Sequence, residues 1–88
     1  MKVKWTPNAW EDYLNWKKSD PKILGWINDL INDIQRDPFR GLGKPEPLKH
    51  ALQGYWSRRI TQEDRLVYRV TGKGKNQQIE IIQCRYHY

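Results

Sequence analysis

The sequence has one cysteine, two histidines and no apolar run approaching the roughly 18 residues of a membrane-spanning helix. A single thiol excludes an internal disulfide and points to a reducing compartment. Two isolated histidines and one cysteine show none of the ligand spacings of a metal site, so neither metal nor cofactor is expected. Glycines are badly placed for a phosphate-cradling loop, because Gly41-Leu42-Gly43 lacks the strand before it and the helix after it. The start, Met1-Lys2-Val3-Lys4-Trp5-Thr6-Pro7, has no apolar stretch behind its charges, which argues against a signal peptide. No internal repeat or low-complexity tract is visible. The expectation is a soluble, cytoplasmic protein with no membrane association, and 88 residues make one domain, 1–88.

Positive charge and aromatic area are what the chain does have. Its net charge is +6, with five Trp and five Tyr. The charge is unevenly spread. Residues 7–38 carry four Lys/Arg against six Asp/Glu, and all other residues carry twelve against four. A helical half of net −2 and a remainder of net +8 suggest one surface that meets a polyanion and another that does not. Nucleic acid is the favoured partner over a merely sticky basic protein.

Local signals give the order of elements. Val3-Lys4-Trp5 alternates like a short strand. Thr6 offers an N-cap oxygen, Pro7 suits the first helical position, and Trp5 with Trp10 fits a hydrophobic staple. Trp10, Tyr13 and Leu14 mark the expected packed face of this helix. Asp20-Pro21 repeats the same start, and Ile23, Ile27, Leu30, Ile31 and Ile34 share one face of a second helix that Asp37-Pro38 ends. Residues 39–54 read as loop, broken by Gly41, Gly43, Pro45, Pro47 and Gly54. Three strands follow, Tyr55 to Thr61, Asp64 to Thr71 and Gln78 to Tyr86, with Gly72-Lys73-Gly74-Lys75-Asn76 as a flexible basic tip. The sum is an α+β fold of order β-α-α-β-β-β: a mostly antiparallel, twisted sheet with two N-terminal helices on one face.

Strand parity bears on chemistry. In the last strand, Ile79, Ile81, Gln83, Arg85 and His87 share one face and Glu80, Ile82, Cys84, Tyr86 and Tyr88 share the other. Arg59 and Arg65 stand opposite each other if their hairpin connection holds an odd number of residues. Two arginines side by side repel unless an anion sits between them.

Metal-free RNA cleavage needs a base for the 2′-hydroxyl, an acid for the departing 5′-oxygen and cations for the extra negative charge. Glu46, in a Pro-flanked loop with Lys44 and Lys49 near it, is a candidate base; an ordinary solvated glutamate is the competing reading. An imidazole titrates near ~6.5 when unperturbed and suits proton donation. His87 is therefore the candidate acid, set against a frayed terminus; His50 ranks lower, near a strand start where it would pack on Trp56. Arg65 and Arg59 are candidate phosphate holders, unless Glu63 or Asp64 pairs with them, and Lys49 adds a point charge. Tyr86 and Tyr88 are candidate base-stacking residues. Cys84 is expected to be buried and inert.

Four stretches together resemble the YoeB toxins of the RelE superfamily. They are Gly43-Lys44-Pro45-Glu46-Pro47-Leu48-Lys49-His50, Trp56-Ser57-Arg58-Arg59-Ile60-Thr61, Arg65-Leu66-Val67-Tyr68 and Cys84-Arg85-Tyr86-His87-Tyr88, with Pro38-Phe39 after the second helix. The resemblance covers nearly the whole chain and implies a RelE-like fold. It implies a ribosome-dependent mRNA endonuclease acting in the A site, a YefM-type antitoxin, a homodimer, and operator DNA as a partner of the toxin–antitoxin complex. It gives Glu46 as general base, His87 as general acid and Arg65 as stabiliser of the pentavalent phosphate, with Lys49 and Arg59 assisting and Tyr88 shaping the site. A non-catalytic co-repressor of the same fold and a ribosome-independent ribonuclease are the alternatives. One departure is the final hairpin, Gly72 to Gln78, which looks longer than the family pattern.

Overall fold

The computed structural model describes residues 1–87, and Tyr88 lies outside the described residues. Strand β1 (Lys2–Trp5) leads into helices α1 (Pro7–Ser19) and α2 (Pro21–Arg36). Strands β2 (Glu46–Pro47), β3 (Trp56–Arg59), β4 (Arg65–Thr71) and β5 (Gln78–Gln83) follow, with 3-10 turns at His50–Leu52 and Gly74–Asn76. The strands form one sheet in the order β1-β5-β4-β3-β2. Only β1 and β5 pair parallel; the other three pairings are antiparallel.

The helix starts follow the capping signals. Thr6 Oγ1 accepts from the Ala9 N–H at 3.2 Å, and Trp5 meets Trp10 edge-on at 5.5 Å between ring centroids. Asp20 serves both helices: its N–H donates to Trp16 O at 2.8 Å, and its Oδ1 accepts from Lys22 N and Ile23 N. A single residue therefore separates α1 from α2. Tyr13 Oη donates to Asn28 Oδ1 at 2.7 Å and ties the pair together.

Both helices cover the same face of the sheet. Ile27, Leu30 and Ile34 of α2 are fully buried and join Leu66, Tyr68, Ile79, Ile81 and Cys84 in one core. Each such side chain contributes roughly 1.5–3 kcal/mol by leaving water. The packed stripe of α1 differs from the expected one. Ala9 and Asp12 are buried and Tyr13 and Trp16 partly so, whereas Trp10 and Leu14 are 46% and 40% exposed. A stripe containing alanine and aspartate is invisible to a reading keyed to large apolar residues.

Three further boundaries differ from expectation. The segment read as loop contains β2, where Glu46 pairs with Ser57 and Pro47 with Trp56. The expected hairpin tip closes as a 3-10 turn behind Gly72, whose φ is +79° and where a Cβ would collide with the Asn76 carbonyl oxygen, so no side chain is admitted. The last strand ends at Gln83, short of the expected Tyr86.

That strand also carries a bulge. Tyr68 pairs with Ile81 but Val67 pairs with Gln83, so Ile82 is the extra residue. The inserted residue reverses the parity beyond it. Cys84 consequently lies in the core with Ile79 and Ile81, and Gln83 shares a face with Val67 on the uncovered side.

Arg58 is the least expected core member. It is fully buried, and all its donor nitrogens are occupied. Nε reaches Tyr68 Oη, Nη1 reaches Asp33 Oδ2 and Leu42 O, and Nη2 reaches Asp37 O and Arg40 O. The guanidinium thus ties the chain after α2 to the sheet. Asp33 also accepts the Leu42 N–H at 2.8 Å. That hydrogen bond, and then the one from Arg58, hold its carboxyl below the usual range.

Candidate active site

The uncovered face is arranged in rows set by strand register. Arg59 pairs directly with Arg65, because five residues, an odd number, connect β3 to β4. The next row runs Glu46, Ser57, Val67, Gln83 across β2, β3, β4 and β5. Ser57 and Val67 are buried although the helices cover the opposite face. Beyond them, Arg69 pairs with Glu80 at 2.7 Å and lies over the Tyr55 ring at 5.3 Å. Glu46 therefore stands on the same surface as the arginine pair, one row along and at the sheet edge.

Arg65 is aimed by its own turn. Its Nη1 donates to the carbonyls of Thr61, Gln62 and Asp64 at 2.9–3.1 Å. Nε and Nη2 have no hydrogen-bond partner among the described residues. The competing expectation of salt bridges to Glu63 or Asp64 is not met among the described residues. Asp64 instead accepts from Thr61 Oγ1 at 2.7 Å and from Tyr86 N at 2.6 Å. Arg59 is exposed at the end of β3, its N–H held by Gly43 O at 2.7 Å.

Glu46, Lys49 and His50 line one depression of about 340 Å³, with Pro47, Leu48 and Leu52. The 3-10 turn His50–Leu52 carries the two basic residues there, with Lys49 as its N-cap. His50 is exposed, and the Trp56 ring meets that of Phe39 at 4.9 Å between centroids. His87 lines a second depression of about 400 Å³ with Trp16, Glu63, Asp64, Arg85 and Tyr86. Glu46 and His87 thus stand in separate depressions. Strands β2 and β5 are three spacings apart, about 14 Å at ~4.8 Å each.

His87 is not on a strand, but the segment before it is tethered. Cys84 N donates to Asp12 Oδ2 at 3.1 Å, and Cys84 O accepts from Trp16 Nε1 at 2.7 Å. Arg65 N donates to Tyr86 O at 3.0 Å, and Gln83 Nε2 donates to Arg85 O at 2.7 Å. Tyr86 takes a left-handed φ of +64°, which turns the chain before His87. Burial pushes the Cys84 thiol up to about 12, so it stays protonated and inert as expected. Burial likewise raises Asp12, against the lowering effect of the Cys84 N–H.

Arg58, the neighbour of the candidate Arg59, faces the core. Parity carried the signal: once Arg59 faces outward, its neighbour must face inward. Asp12, Asp64 and Gln83, which hold the segment before His87, left no signal of their own.

A model of the YoeB-like toxin of bacterial type II toxin–antitoxin systems matches residues 5–88. The chain belongs to the YoeB family. Toxin YoeB of Escherichia coli K12 is 54% identical over 88 residues, covering all of both chains. The solved YoeB/ParE toxin from Agrobacterium tumefaciens is 57% identical, with a TM-score of 0.96 over the whole of each chain. YoeB of Staphylococcus aureus has been solved as a dimer, at 43% identity and TM-score 0.88, and as a heterotetramer with YefM, at 44% and 0.86. Each of these covers all of this chain and 98% of the other. The protein is accordingly a YoeB-type toxin of RelE-like fold.

Proposed function

We propose that the protein is an endoribonuclease that cleaves mRNA in the ribosomal A site by metal-independent acid–base catalysis and so stops translation. The observation that carries this reading is the Arg59–Arg65 pair on the uncovered face, in the row next to Glu46. Like charges held opposite each other are costly unless an anion lies between them. A scissile phosphate is such an anion, and the carbonyls of Thr61, Gln62 and Asp64 fix the Arg65 guanidinium through its Nη1.

Chemistry follows from the placement. Glu46 takes the 2′-hydroxyl proton and the 2′-oxygen attacks phosphorus. Arg65 stabilises the pentavalent phosphate, with Lys49 and Arg59 adding charge. His87 gives its proton to the departing 5′-oxygen, leaving a cyclic phosphate. The separation of Glu46 and His87 requires that substrate occupy the face between their depressions, gripped at Arg65. Tyr88 shapes the site beside His87 in this reading. The S. aureus structures support a homodimeric toxin held by a YefM-type antitoxin. In this reading that toxin–antitoxin complex also binds operator DNA. A cytoplasmic location follows from a ribosomal target; among the described residues no helix is long and apolar enough to cross a membrane.

Purified protein is to be incubated with mRNA on programmed ribosomes and with the same mRNA free, in chelator. Cleavage is expected on ribosomes alone, with a cyclic or 3′-phosphate end. Equal cleavage of free mRNA would move the reading to a ribosome-independent ribonuclease. A 3′-hydroxyl product would end the internal-nucleophile mechanism.

A further inference from the structure

Asp12 is a buried carboxylate, 8% exposed, to which the chemistry above gives no task. Its Oδ2 accepts the Cys84 N–H at 3.1 Å, from α1 to the end of the last strand. Asp64 does the same one step on. Its Oδ1 accepts the Tyr86 N–H at 2.6 Å, while Oδ2 is fixed by the Thr61 hydroxyl. Two carboxylates on different elements therefore grip alternate backbone amides, on either side of Arg85. The same turn that carries Asp64 also holds the Arg65 guanidinium through three carbonyls, and Arg65 N closes on Tyr86 O.

We propose that Asp12 and Asp64 are positioning residues that fix the backbone of residues 84–86 and so set the imidazole of His87 relative to the Arg65 guanidinium. The proposal rests on the reading of His87 as the general acid. Two facts separate it from a purely structural role. Tyr86 is exposed and left-handed, so its place is set by these hydrogen bonds and not by core packing. And the Thr61–Asp64 turn is self-sufficient: Thr61 Oγ1 already accepts from Glu63 N and Asp64 N, leaving the second carboxylate oxygen for the neighbouring segment. Small displacements of a catalytic group are expensive, on the order of 10²-fold in rate per ångström.

The test uses the full chain on programmed ribosomes. Asp12→Ala and Asp64→Ala are each expected to lower kcat about 10–100-fold with KM within about threefold. Asp12→Asn and Asp64→Asn keep an acceptor oxygen and are expected to recover most of the rate. In a His87→Ala background, Asp64→Ala should change the residual rate by less than about twofold, because its effect passes through the imidazole. Parental kcat in Asp64→Ala, a loss carried by KM, or an equal loss in the His87→Ala background overturns the proposal. Asp64, on a surface turn, decides the matter if Asp12→Ala does not fold. A His87→Ala protein as fast as the parent would instead defeat the acid reading itself.

Discussion

Arg58 and Arg59 are adjacent, identical and opposite in fate. Register turns Arg58 inward to five hydrogen bonds with Asp33, Tyr68 and three carbonyls, while Arg59 stands on the surface against Arg65. Removing a buried ion-pair partner strands the other charge, at about 3–5 kcal/mol. Arg58→Ala should therefore lower stability by that amount in urea unfolding. Arg59→Ala should leave the unfolding midpoint within the experimental scatter and weaken cleavage instead. The catalytic assignments carry a prediction at the same scale. Arg65→Ala or His87→Ala should relieve growth arrest in cells while circular dichroism remains that of the parent. Either variant as toxic as the parent would refute the role assigned to that residue.

Between elements, the contacts that matter most join distant parts of the chain. Thr6 caps α1 through Ala9 N and sends its N–H to Ile81 O at 3.0 Å. Its hydroxyl also donates to the bulge residue's carbonyl, Ile82 O, at 3.4 Å. Loss of a cap costs about 1–2 kcal/mol. Thr6→Ala should reach the upper end of that range in thermal unfolding, and Thr6→Ser should restore most of it. Elements of this kind also mark where sequence reading succeeded. Thr6-Pro7 and Asp20-Pro21 announce helices through rules confined to a few residues, and both were legible. The bulge at Ile82 was not, because it depends on which residue of β4 each residue of β5 meets. Period-two parity then placed Cys84 on the wrong face, and extended to His87 a strand that ends at Gln83. Strand β2 was hidden for a related reason: Pro47 speaks against a strand in general, but is tolerated at a sheet edge. The Arg59–Arg65 apposition needed only an odd connection and was legible. That Glu46 and His87 stand in separate depressions needed the whole sheet.

For the whole molecule, charge and pH give the measurable consequences. Asp33 titrates lower in the folded chain than in the unfolded one, so its hydrogen bonds stabilise the fold fully above ~3.9, the ordinary aspartate value. That contribution is lost as pH falls through the depressed folded value. Asp12 has the opposite sign: its folded value is raised, so the fold prefers the protonated form and stability falls as pH rises through that value. Urea unfolding across acid pH should show a weaker acid dependence in Asp33→Asn. At neutral pH, Asp12→Asn should be at least as stable as the parent. The +8 borne outside residues 7–38 has its own signature: on the proposed reading, affinity for ribosomes should fall steeply with salt, through counterion release.

The parallel pairing of β1 with β5 sets when the toxin exists at all. Thr6 finds Ile82 across a sequence separation of 76. Such a closure is entropically late and slow compared with the helix hairpin, which forms from neighbours. During synthesis the first strand must wait, unpaired, for the last one to emerge. A nascent chain halted before that point lacks both its sheet edge and the imidazole-bearing segment. On the proposed reading, the chain would gain its activity against translation only after β5 has emerged to pair with β1.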